Sequence, residues 1–175
     1  MPISDFDHRD RRLSECIIAV RRFHLLIKAP VCAGPPQLLP CDPARALPYS
    51  VRLSELAREL ADASNGAQDV LLSRAALAVE ELGEWLAAHA RCDLIEAADA
   101  IADRLYVLSG DAVSTGLPLD LLFEAVHQSN LSKLPLVQTG YGRGVKGPTY
   151  QPPDIKWALQ AHALRQRPTG PHIDA

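Results

Sequence analysis

Glu80-Glu81-Leu82-Gly83-Glu84 and, twelve residues past Glu84, Glu96-Ala97-Ala98-Asp99 decide how this chain is read. Each segment repeats acids at i, i+3 or i, i+4 spacing, which places its carboxylates on one side of an α-helix. The five carboxylates of these two clusters suit a hard divalent cation, which takes oxygen ligands. The competing reading is a pair of ordinary solvated helix faces.

Solvated acids on a helix usually pair with Lys or Arg one turn away. The i±3 and i±4 neighbours of Glu80, Glu81, Glu84, Glu96 and Asp99 include no Lys or Arg, and several are themselves acids. Like charges at that spacing destabilise a helix by a few tenths of a kcal/mol. Two carboxylates about 6 Å apart at an effective dielectric near 20 repel by roughly 3 kcal/mol, which favours protonation or a cation. One structural alternative is specific to Glu96: Asp93-Leu94-Ile95-Glu96 has the spacing of a capping box, with Asp93 as N-cap. Capping leaves Asp99 and Asp103 unexplained, although both lie within about 60° of Glu96 around a helix.

Outward from these clusters the chain reads as all-α. Apolar residues recur at helical period from Asp5 to Leu26, until Pro30 and a Pro-rich linker over residues 30–50. A short helix is expected after Ser50, with a break at Asn65-Gly66. The acid-bearing helix, 67–90, carries the stripe Leu72, Ala75, Val79, Leu82 and Leu86 and is apolar on its other side too, which implies burial. Further helices are expected over 94–108, stopping at Ser109-Gly110, and over 119–131 after Pro118. Residues 134–153 form a Gly- and Pro-rich flap, Asp154 caps a last helix to Leu164, and 165–175 is a disordered tail. The expected organisation is therefore one helical-bundle domain over residues 1–164.

A net charge of −3 without a basic stripe argues against nucleic-acid binding. No apolar run approaches the roughly 18 residues of a membrane span, so no membrane partner is expected. Four scattered cysteines without a C-x-x-C pair, and a polar start without the form of a secretory signal, point to a cytoplasmic protein. Other site chemistries fit poorly. Glu124-x-x-His127 occurs once, whereas a di-iron bundle needs the motif twice. The tract from Gly140 to Gly147 lacks the phosphate-loop order, and no G-x-S-x-G occurs. His24 and His127 read as ordinary partly buried histidines.

The order Glu-Glu-x-x-Glu, spacer, Glu-x-x-Asp is similar to the signature of the MazG-like all-α nucleotide pyrophosphohydrolases. Val20-Arg-Arg-Phe-His24, Val126-His-Gln-Ser-Asn-Leu-Ser-Lys133 and Lys146-Gly-Pro-Thr-Tyr-Gln-Pro-Pro-Asp154 resemble motifs of its phosphoribosyl-ATP pyrophosphohydrolase-like branch, some members of which resemble dimeric dUTPases. The resemblance implies a bundle completed as a homodimer or dimer of dimers. It also implies Mg²⁺-dependent (or Mn²⁺-dependent) cleavage of a (d)NTP to monophosphate and pyrophosphate. Carried over by motif, Glu81, Glu84, Glu96 and Asp99 are metal ligands, and Glu80 holds a further metal or orients the attacking water, whose proton a neighbouring carboxylate can take. Asn130 and Lys133 lie near sugar, base or phosphate, and Lys146 and Tyr150 close over the substrate. Arg143 is a weaker candidate, and Tyr106 reads as core packing.

The chain departs from the family pattern in its long Pro-rich connection and in the absence of a polar loop over Leu134–Thr139. Substrate expectations therefore span dUTP, dCTP or a modified nucleotide. Phosphoribosyl-ATP is the nearest alternative, and a non-catalytic metal–nucleotide-binding bundle is the alternative from another class.

Overall fold

The computed structural model describes residues 13–133, 138–139, 143–144 and 146–166. Six helices make up the described fold: α1 Leu13–Leu26, α2 Pro43–Ala67, α3 Val70–Ala90, α4 Leu94–Thr115, α5 Leu119–Leu131 and α6 Ile155–Arg165. A two-residue antiparallel ladder, β1 Gln138–Thr139 and β2 Arg143–Gly144, pairs Gln138 with Gly144 and Thr139 with Arg143. The protein is an all-α helical fold, as the periodicity requires. Its residues divide into two compact units, 32–116 and 1–31 together with 117–175.

In the unit 32–116, α2 packs on α3 and α3 on α4. α2 begins inside the Pro-rich stretch read as a linker and runs on past Asn65-Gly66. Pro43 takes the first helical position, where its missing N–H costs nothing, and Asp42 caps the helix by accepting from the Ala44 N–H at 3.0 Å. Pro48 in the second turn forfeits one backbone bond without ending the helix. The actual stop is Gln68, in left-handed conformation at φ 52°, whose N–H donates to the Ser64 carbonyl. Asp69 then caps α3 by accepting from the Leu72 N–H at 3.1 Å.

The turn from α3 to α4 sets the acid clusters side by side. Cys92 adopts φ 59°; its N–H donates to the His89 carbonyl (3.1 Å) and the Asp93 N–H to the Ala88 carbonyl (2.9 Å), a Schellman closure. Asp93 at once caps α4, accepting from the Ile95 and Glu96 N–H groups at 3.0 and 3.1 Å. So tight a link forces α4 back antiparallel along α3. Small residues let the two helices approach: Ala88, Ala97 and Ala100 are only 2–3% exposed.

α4 continues through Ser109-Gly110 to Thr115, beyond the expected stop. The Arg74 side chain crosses α4 at Gly110, where a Cβ would meet its guanidinium, and reaches Asp111 Oδ1 at 2.7 Å and the Val107 carbonyl. Gly110 is thus a slot for an arginine, and Gly116, at φ 71° ahead of Pro118, is the stop. Tyr106 is 81% exposed, so core packing is corrected for it. The inner side of α4 is Ala97, Ala100 and Val107, and Tyr106 points roughly 100° away from its neighbour Val107.

In the other unit α5 packs on α1 and α6, and Ala19, Leu121, Ala125 and Ala158 are buried there. Asp154 caps α6 by accepting from the Trp157 N–H (2.9 Å), and Arg165 pairs with Asp120 at 3.0 Å. His24 bonds the Pro30 carbonyl through Nδ1 at 3.1 Å, and His127 stacks on Phe123, so both are ordinary structural histidines. The expected helical segment before residue 13, much of the expected flap and the tail from residue 167 lie outside the described residues.

Candidate metal centre

The α3–α4 hairpin collects Glu80, Glu81 and Glu84 from one helix and Glu96, Asp99 and Asp103 from the other. The six act as one electrostatic patch. Burial, then Glu84, Asp103, Glu80 and Asp99 in that order, push the Glu81 carboxyl above its ordinary range. Glu84 is raised as well, by burial and then by Glu80, Asp103, Glu96 and Asp99. Each acid that sequence spacing selects therefore takes part in the patch, and Asp103 joins them.

Neither structural alternative accounts for it. None of the six enters an ion pair or hydrogen bond through its carboxylate among the described residues. The capping box at Glu96 is only half made: Asp93 caps with its side chain, but its own N–H is taken by the Ala88 carbonyl. The Glu96 carboxylate is thereby left free for other work.

The most telling atom is Glu81 Oε2, which is buried and has no hydrogen-bond partner among the described residues. A buried carboxylate oxygen without a donor is costly, and a proton or a cation would offset that cost. Glu81 itself is half-buried, while Glu80, Glu84, Glu96, Asp99 and Asp103 are exposed and free to swing. Among the described residues no three acid, histidine or cysteine groups stand in ligand geometry around one point. The arrangement is an open patch across two helices, not a closed cage. Its all-carboxylate chemistry, its shared repulsion and the orphaned Glu81 oxygen fit Mg²⁺ or Mn²⁺, which prefer oxygen ligands and keep several waters.

Beside the patch, still within the unit 32–116, lies a groove of about 470 Å³ between α2 and the α3–α4 end. Gly83 floors it: a Cβ there would come within 3.2 Å of Leu53 Cβ and 3.3 Å of the Ser50 carbonyl, so glycine lets α2 approach α3. Arg58 of α2 and Arg91 at the end of α3 line it together with Glu84 and Glu96. Sequence spacing does not reveal these arginines, because only the packing of α2 on α3 brings Arg58 to the acids.

The four candidate substrate residues belong to the other unit. Lys133 Nζ donates to Asn130 Oδ1 at 2.6 Å, so these two form a single polar head at the end of α5. Lys146 Nζ stands over the Tyr150 ring at 4.7 Å, a cation–π contact. A clasp holds that segment to α5: Ser129 Oγ donates to the Gln151 carbonyl (2.8 Å), Ser132 Oγ accepts from the Gln151 N–H (2.8 Å), and Thr149 Oγ1 donates to the Ser132 carbonyl (2.9 Å). The side chain of Arg143 lies outside the described residues.

Comparison with known proteins agrees with this geometry. Residues 57–130, running from within α2 almost to the end of α5, match the family model described as phosphoribosyl-ATP pyrophosphohydrolase. No curated protein and no solved structure matches the chain. The paired acid clusters of α3 and α4 lie inside the matched span. Residues 57–130 are thus similar to the phosphoribosyl-ATP pyrophosphohydrolase family, a likeness that covers α3 and α4 whole.

Proposed function

We propose that the chain is a divalent-cation-dependent hydrolase that converts a (d)NTP to its monophosphate and pyrophosphate. One observation carries the reading: α3 and α4 present six coupled carboxylates, including the partnerless buried oxygen of Glu81, inside a segment matched to a pyrophosphohydrolase family.

Glu81, Glu84, Glu96 and Asp99 hold Mg²⁺, or Mn²⁺ in its place. When bound, the ion offsets triphosphate charge and acidifies water. Glu80, exposed beside Glu81, takes the proton of the attacking water. The water oxygen bonds to phosphorus, the bridging P–O bond between the α and β phosphates breaks, and pyrophosphate leaves with the electron pair. Asn130 and Lys133 bind sugar, base or phosphate, and Lys146 and Tyr150 close over the substrate.

The working form is a homodimer or a dimer of dimers. Ile95, Tyr106 and Val113 are 80–84% exposed and fall within about 20° of one line along α4, an apolar stripe that a second copy would cover. Sedimentation of the purified chain is expected to give a dimer or tetramer, and Tyr106→Glu with Val113→Glu to shift it toward monomer. A monomeric wild type would remove this part of the reading.

The substrate is a house-cleaning target such as dUTP, dCTP or a modified nucleotide. Phosphoribosyl-ATP is a second reading, favoured by the description of the matched family. Pyrophosphate release over a panel of these nucleotides with Mg²⁺ separates them, with one substrate class expected to dominate. Tight nucleotide binding without turnover of any compound would instead identify a sensor and sink the enzyme reading.

A further inference from the structure

The acid patch by itself cannot attract a triphosphate, because both are anionic. The groove beside it carries basic residues as well. Arg58 and Arg91 line it against Glu84 and Glu96, and neither guanidinium enters an ion pair among the described residues. Arg58 Nε donates to the Ser54 carbonyl one turn back at 3.2 Å, which lays its arm along α2 and leaves both terminal nitrogens for a ligand. Arg58 also lines a neighbouring groove of about 290 Å³ with Glu80 and Glu84, so it stands beside the acid-bearing face of α3 over two turns.

We propose that Arg58 and Arg91 form the direct phosphate-contacting wall of the site and take the β and γ phosphates, the part of the substrate that leaves as pyrophosphate. This rests on the nucleotide reading above and adds the residues that recognise the tail. The division of labour follows from charge. Carboxylates reach phosphate oxygens only through a cation, whereas a guanidinium meets them directly with two parallel N–H donors. A site that holds one anion through both kinds of contact fixes its orientation as well as its affinity. At about 470 Å³ the groove is in the usual range for small-molecule sites and has room for an oligophosphate.

The test uses inorganic pyrophosphate and a nucleoside monophosphate as separate probes, each with Mg²⁺, on the full-length chain. Arg58→Gln and Arg91→Gln are each expected to weaken pyrophosphate inhibition and raise KM by about 10- to 100-fold, the loss of one charge-assisted contact. Monophosphate inhibition and the thermal midpoint are expected to stay unchanged. Arg58→Lys recovers part of the loss, since it keeps the charge without the fork. Unchanged pyrophosphate inhibition in both Gln variants, with wild-type turnover intact, overturns the inference and leaves the nucleotide reading standing. If the wild type hydrolyses no nucleotide, calorimetric binding of pyrophosphate decides. Tighter binding by wild type than by Arg58→Gln sustains the anion wall without the enzyme; equal binding or none overturns it.

Discussion

Replacing Glu81 with Gln is expected to lower turnover on the order of 10³-fold while making the cation-free protein more stable. The two effects have one cause. Glu81 is the acid whose Oε2 is buried without a partner among the described residues, and its neighbours Glu84, Asp103, Glu80 and Asp99 all work against its ionisation. Gln keeps the shape and removes the charge. Loss of one anionic ligand removes several kcal/mol of transition-state stabilisation, and each 1.36 kcal/mol is tenfold in rate. The same loss relieves repulsion in the folded state. Asp99→Asn is expected to lower turnover comparably.

The pH dependence has a definite sign. Glu81 and Glu84 titrate above their ordinary 4.5 in the folded chain, so the folded state holds these protons more tightly than the unfolded state. Their contribution to stability is thus greatest below that value and is lost as pH rises through the raised values. Without divalent cation, the wild-type thermal midpoint should fall across that window, and Glu81→Gln should flatten the fall. Added Mg²⁺ or Mn²⁺ should restore stability at neutral pH in wild type more than in the variant. A flat wild-type profile that ignores both cation and mutation would contradict the patch as a charged, cation-seeking unit.

The second large effect is structural. Ala100→Leu is expected to destabilise the fold by about 1–3 kcal/mol and to cut turnover with it. Ala100 is 2% exposed, on the inner side of α4 with Ala97 and Val107, so a branched side chain there has to displace what covers it and is expected to push α4 from α3. Because the acids are divided between those two helices, spreading them separates Glu81 and Glu84 from Asp99 and Asp103. Ala63→Leu, on an exposed position of α2, is the control and should change neither quantity. Chemical denaturation with parallel rate measurements checks both. An Ala100→Leu chain of wild-type stability would show that the two helices are not held at alanine distance.

The sequence carried the acids well because they lie on two helices, where spacing alone sets the face. It also carried α5 and α6, since Pro118 and Asp154 mark their starts unambiguously. The departures lie at single residues whose meaning depends on position in a helix or on packing. Gly110 looked like a stop because a glycine inside a helix has no local justification; its reason is Arg74, far back in the chain. Pro43 and Pro48 looked like linker, although a proline near a helix start is harmless. Tyr106 looked like core because the period of α4 shows where apolar residues recur but not which side meets α3. Arg58 carried no motif at all, and only the packing of α2 on α3 reveals it.

The central claim is that the carboxylates of α3 and α4 are the ligands of a catalytic divalent ion. Anomalous scattering from Mn²⁺ in crystals grown with a non-hydrolysable deoxynucleoside triphosphate tests it most directly. The account predicts density in contact with Glu81, Glu84, Glu96 and Asp99, with the triphosphate against it. Ordered triphosphate with no Mn²⁺ at these four carboxylates would contradict it.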